Sequence, residues 1–75
     1  METITVAEFF KRLCSFREKM GEVHEPEQYR NIFKMLTLSF FNVDATDPKY
    51  STAADLYRSN ANEYVQRMAL MGHEL

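Results

Sequence analysis

Seventy-five residues, 45% apolar and 13% aromatic with two glycines and two prolines, describe one small globular domain over 1–75 and exclude both a second core and a low-complexity chain. A formal charge of −2 gives no global attraction to polyanions, which disfavours nucleic acid as a partner. The single cysteine, Cys14, excludes an internal disulfide, and no Cys/His cluster offers a zinc staple, so tight helix packing or self-association must stabilise the fold.

The opening stretch METITVAEFFKRL sets Glu2 and Glu8 around a short apolar run, without the basic start and small-residue cleavage site of a secretory signal. No apolar run approaches the roughly 18 residues of a membrane span. These features predict a soluble, cytoplasmic chain with a reduced thiol and no membrane contact.

Thr5 and Glu8 stand at capping-box spacing, which starts the first helix at Thr5. Val6, Phe9, Phe10, Leu13, Phe16 and Met20 then recur every three or four residues and form one apolar stripe, with Glu8, Lys11, Arg12, Ser15, Glu18, Lys19 and Glu22 opposite. Arg17 breaks the pattern by projecting into the stripe, so it either snorkels at the end of the bundle or pairs with a carboxylate. Gly21 is the expected left-handed stop. Pro26 suits the first turn of the next helix, where its missing N–H is not needed.

The stretch Tyr29 to Val43, YRNIFKMLTLSFFNV, is the most apolar in the chain and carries two greasy faces. Tyr29, Ile32, Phe33, Leu36, Phe40 and Val43 fall within an arc of about 100°, the width of a core-facing stripe. Met35, Leu38 and Phe41 lie on the remaining circumference among Asn31, Lys34 and Asn42. Part of the run alternates like a strand, but no second strand candidate exists to pair with it, so a helix is expected.

Asp44, Thr46, Asp47 and Pro48 mark the clearest loop, and Ser51 or Thr52 is the expected cap of the third helix. Ala54, Tyr57, Ala61, Tyr64, Met68 and Met71 make a heptad-like seam in which small alanines alternate with tyrosines. Gly72 closes that helix, and His73 to Leu75 form a tail. Three amphipathic segments with short connectors predict an all-α fold, a small antiparallel three-helix bundle with helices over about 5–20, 26–42 and 52–71.

Candidate chemistry is sparse. His24 sits among Glu22, Glu25 and Glu27, yet one histidine at this spacing makes no zinc site and a solvated acidic loop accounts for it. Asp44, Thr46 and Asp47 resemble the start of a calcium loop, but Lys49 holds the glycine place and Asp55 the terminal glutamate place, so turn formation and capping are the simpler reading. Cys14, between Lys11 and Arg17, has no histidine in its helix to act as base and reads as a small, half-buried hydrophobe. Lys11, Arg12, Arg17 and Lys19 share their surface with Glu8, Glu18 and Glu22, which favours a mixed-charge solvated face. The connectors also lack the short glycine-bearing turn before a recognition helix that a helix-turn-helix needs.

Neither a paired nucleophile and base nor a cofactor loop can be assembled, so no enzyme, cofactor or metal is expected. The leading expectation is a non-enzymatic protein-binding module, a small inhibitor, adaptor or regulator of the kind also carried by phages and mobile elements. It would act through Met35, Leu38 and Phe41 with Lys34 at the rim and Leu56 and Leu70 as further apolar contacts, on another protein or as a homodimer. The competing structural expectation is that the loop 42–50, or Leu56 and Leu70, folds over this face. The alternative function is a nucleic-acid-associated regulator using the basic residues of the first helix.

Overall fold

The computed structural model describes residues 3–72, and the expected tail from His73 lies outside them. Three helices, α1 (Val6–Glu22), α2 (Pro26–Phe41) and α3 (Tyr50–Leu70), pack against one another as a small bundle 39 × 20 × 17 Å in extent. The side-chain contacts give the directions. Tyr29 at the start of α2 meets Met20 at the end of α1, Phe40 at the end of α2 meets Phe9 and Tyr50, and Arg67 near the end of α3 returns to Tyr29. Successive helices therefore run antiparallel.

The start of α1 is the one read from sequence. Thr5 is extended, and its Oγ1 accepts the Glu8 N–H at 3.0 Å, satisfying one of the four orphan donors of the first turn. The Glu8 carboxylate lies 3.5 Å from Arg12 Nε one turn on. The end of α1 differs from expectation. Gly21 is not a left-handed stop, because the helix runs through it to Glu22 and exits at extended Val23, φ −97°. Pro26 sets the other end of the connector, since a proline pushes the preceding residue into extended backbone, as seen at Glu25. Gly72, at φ 79°, does close α3 as expected.

α3 also begins earlier than the Ser51 or Thr52 cap implied. Lys49 occupies the cap position without a side-chain bond, and Asp47 organises the turn instead. Its backbone oxygen accepts the Tyr50 N–H at 2.9 Å and its Oδ1 accepts the Lys49 N–H at 2.9 Å. That early start brings the Tyr50 ring onto Phe40.

The core is assembled from one stripe per helix. Val6, Phe9, Leu13, Phe16 and Met20 of α1 meet Tyr29, Leu36 and Val43, and then Ala53, Tyr64 and Met68 of α3. Burying each large apolar side chain contributes about 1.5–3 kcal/mol. Between α2 and α3 the rings Tyr64, Phe33, Tyr57, Phe40 and Tyr50 alternate in a ladder, with centroids 4.3, 5.8, 4.5 and 5.8 Å apart and interplanar angles between 2° and 19°. The register follows from sequence: Phe33 and Phe40 are seven apart, and so are Tyr50, Tyr57 and Tyr64, so each pair of turns delivers one ring to the same face. At the edge of this ladder the Tyr57 hydroxyl shares a hydrogen bond with Thr37 Oγ1 at 2.8 Å.

The α3 seam is rotated from the expected one. Ala53 and Asn60 are buried, whereas Ala54 and Ala61 are only half-buried. Asn60, 3% exposed, sits in the core because it can be satisfied there: its Nδ2 donates to the Leu56 carbonyl at 2.7 Å and its Oδ1 accepts Arg17 Nη1 at 2.7 Å. Arg17 thus does pair, with an amide first and with Glu63 at 3.4 Å second. Cys14 is exposed and not half-buried, since the flank of the α1 stripe opens to water. The α2–α3 loop closes on the N-terminal segment through an isolated parallel bridge between Ile4 and Val43. There Ile4 N–H donates to Asn42 O at 2.7 Å and Asp44 N–H to Ile4 O at 2.9 Å.

Candidate interaction surface

The second face of α2 is open. Met35 is 65% exposed, Leu38 46% and Phe41 73%, so neither the loop 42–50 nor α3 folds over them. The loop is drawn to Ile4 instead, burying Val43 on the opposite side. Residues three apart on a helix are neighbours, so Met35 touches the zone of Leu38 and Leu38 that of Phe41 in one oblique stripe that rises about 9 Å along the axis at 1.5 Å per residue. Met35 stands at the edge toward α1, and Phe41 toward α3 and Phe40, its ring 6.4 Å away. Lys34 is exposed one turn before Leu38, and Arg30 one turn before Lys34. The stripe is therefore apolar with a basic rim.

Leu56 and Leu70 are exposed too, at 38% and 88%, but the fold does not bring them to this stripe. Asn60 and Glu63 accept from Arg17 of α1, so their edge of α3 faces α1. Leu56 lies one turn before Asn60 and Leu70 two turns after Glu63 on that edge, while Tyr57 and Tyr64 stack on α2 from the other. Leu56 and Leu70 also stand fourteen residues apart, about 21 Å along α3. Val65, 48% exposed, was not among the sequence candidates. Its one signal is its place between the seam residues Tyr64 and Met68.

Beside the stripe runs a channel between α1 and α2 of about 510 Å³, with Phe16, Ile32 and Leu36 among its lining and Met35 on its wall. It continues past Lys19 toward Val23 and Gln28 in a smaller depression of about 310 Å³.

The polar groups singled out from sequence serve local structure. Asp44 Oδ1 accepts both the N–H and the hydroxyl of Thr46, at 2.9 and 2.6 Å, and these bonds hold its carboxyl below the ordinary 3.8. Asp47 accepts from Lys49 and, at 3.4 Å, from the Val6 N–H, so it also braces the start of α1. Among the described residues no three His, Cys, Asp or Glu side chains are grouped so as to hold a metal ion, and no helix is long and apolar enough to cross a membrane. Of the basic residues on α1, Arg12 is engaged by Glu8 and Ser39 and Arg17 by Asn60 and Glu63. No family model, curated protein or solved structure matches this chain.

Proposed function

We propose that this chain is a non-enzymatic protein-binding module, a small inhibitor, adaptor or regulator that presents the Met35, Leu38 and Phe41 stripe of α2, with Lys34 at its rim, to another protein or to a second copy of itself. The observation that carries this reading is the exposure of three large apolar side chains, Phe41 at 73% among them, in one contiguous row on a helix whose other large apolar side chains lie in the core or pack against it. Apolar patches rimmed by charge mark interfaces, and Met and Phe are enriched at their centres. Occlusion or scaffolding is the corresponding mechanism, with the apolar side chains as anchors and Lys34 and Arg30 setting orientation. Leu56 and Leu70 belong to a separate edge and are not part of this surface.

The nucleic-acid alternative has less support, because Arg12 and Arg17, two of its four cations, are held by partners within the chain. Replacing both Leu38 and Phe41 with Asp tests the protein-binding reading. Both positions are exposed, so the helical signal should persist while the self-association measured by light scattering, or the capture of a bound protein, is lost. An unchanged mass together with unchanged capture refutes it.

A further inference from the structure

We infer that residues 3–5 form a strap that opens about Thr5 while the three helices stay folded, and that the closed strap keeps the α2–α3 loop off Phe41. The second part rests on the reading of the Met35, Leu38 and Phe41 stripe as the interface and adds a control on its exposure. The closed strap is a single residue of parallel pairing. Ile4 N–H donates to Asn42 O at 2.7 Å and Asp44 N–H donates to Ile4 O at 2.9 Å, so Ile4 bonds on both sides of Val43. The Ile4 side chain is half-buried against the core, with Thr3 and Thr5 exposed on either side of it. Two backbone bonds and one half-buried side chain hold far less than the five buried residues of the α1 stripe, and segments so held open at lower free energy than the whole domain.

The elements that flank the strap carry bonds of their own. At the start of α1, Thr5 Oγ1 accepts the Glu8 N–H and the Thr5 carbonyl accepts the Phe9 N–H, both at 3.0 Å, while the Val6 N–H reaches Asp47 Oδ2 at 3.4 Å. α2 ends on Asn42 N–H to Ser39 O and Val43 N–H to Phe40 O, each 3.1 Å. Within the loop, Asp47 N–H donates to Asp44 O at 3.1 Å and Tyr50 N–H to Asp47 O at 2.9 Å, and the two carboxylates accept from Thr46 and Lys49. Losing the two Ile4 bonds leaves all of these in place, which makes the strap a separate cooperative unit. Its pull sets the course of the loop. Asn42 directly follows Phe41, and pairing with Ile4 draws the chain toward the start of α1, with Val43 6% and Phe41 73% exposed. With the strap open, the loop is anchored only through its ends in α2 and α3 and is able to fold against the Phe41 ring.

The test is native-state amide hydrogen exchange on the full-length chain, with Ile4→Pro set against Ile4→Ala. Both variants lose the isoleucine side chain, and only proline also removes the N–H donated to Asn42. In the wild type the Asp44 amide should exchange about tenfold or more faster than the Leu13 amide in the middle of α1, with a shallower dependence on denaturant. Ile4→Pro should speed Asp44 exchange about tenfold over Ile4→Ala and leave Leu13 exchange alike in the two. Nuclear Overhauser contacts between the Phe41 ring and the side chains of 44–48 should be stronger in Ile4→Pro than in Ile4→Ala. Asp44 protected as long as Leu13 in the wild type, equal Asp44 rates in the two variants, or an Ile4→Pro chain that loses its helical signal overturns the strap. Faster Asp44 exchange without new Phe41 contacts overturns the control of the stripe by the loop. If the exchange results hold while the Leu38 and Phe41 double variant keeps its mass and its capture, the strap stands and the stripe is not the interface.

Discussion

Phe40→Leu and Phe41→Leu, neighbours in sequence, should differ sharply in cost. The Phe40 ring lies 4.5 Å from Tyr57 at 2°, 5.6 Å from Phe9 and 5.8 Å from Tyr50. Aromatic pairs contribute about 0.5–1.5 kcal/mol each beyond their buried area, and three pairs sharing one ring are not additive, so the loss should be about 2 kcal/mol. A domain of this length has about 4–11 kcal/mol of total stability, so the change is a large fraction and should lower Tm by about 8–16 °C. Phe41, 73% exposed with one ring contact at 6.4 Å, should cost within about 0.5 kcal/mol. Urea unfolding followed by the helical circular dichroism signal measures both, with an unchanged m-value expected. Equal costs for the two variants would refute the division of α2 into a packed face and an open one.

Three further outcomes follow from the same contacts. Arg17→Met and Asn60→Ala, combined in a double-mutant cycle, should show a coupling of about 1 kcal/mol, below the roughly 1.5–3 kcal/mol of a charged hydrogen bond because the Arg17 side chain is 55% exposed; additive effects would mean that the 2.7 Å bond contributes nothing. Glu63→Gln should change stability by less than about 0.5 kcal/mol in the same assay, since its pair with Arg17 lies half in solvent. The Asp44 carboxyl is depressed by its bonds from Thr46, so its stabilisation is present above the ordinary 3.8 and is lost as pH falls through the lower folded value. The stability gap between wild type and Asp44→Asn should therefore be constant near neutrality and narrow only in strong acid, and a gap that instead narrows between pH 5 and 7 would assign it to another group.

The bundle was legible because each helix carries its own period. Val6, Phe9, Leu13, Phe16 and Met20 repeat at three and four, the Thr5 cap and Pro26 fix two starts, and all these features are local. What escaped was decided by contact between helices. Asn60 reads as a solvent residue in isolation and is buried only because Arg17 of α1 arrives to satisfy it. Ser51 and Thr52 are better caps by residue type than Lys49, yet the turn held by Asp47, which accepts the Lys49 and Tyr50 N–H groups, starts the helix earlier. Gly21 is a good left-handed residue, and an extended connector before Pro26 makes that conformation unnecessary. On the candidate surface the outward placement of Met35, Leu38 and Phe41 was readable from the wheel. The grouping with Leu56 and Leu70 was not, because sequence gives each helix a face without giving its rotation toward its neighbours.

The two surfaces on α2 follow from two spacings within one stretch. Phe33 and Phe40, seven apart, return to the same side and lock onto the tyrosines of α3, whereas Met35, Leu38 and Phe41, three apart, step backward around the cylinder at each turn and cannot share that side. A row of residues three apart is inclined at about 45° to the helix axis, so a partner helix following the stripe crosses α2 obliquely. Met35 heads the stripe and also stands at the wall of the α1–α2 channel. A partner docked on the stripe should therefore lose affinity on Met35→Asp and on Phe41→Asp and be indifferent to Lys19→Glu, which stands on the α1 side of the channel; equal losses on Phe41→Asp and Lys19→Glu in a binding titration would refute docking along the stripe.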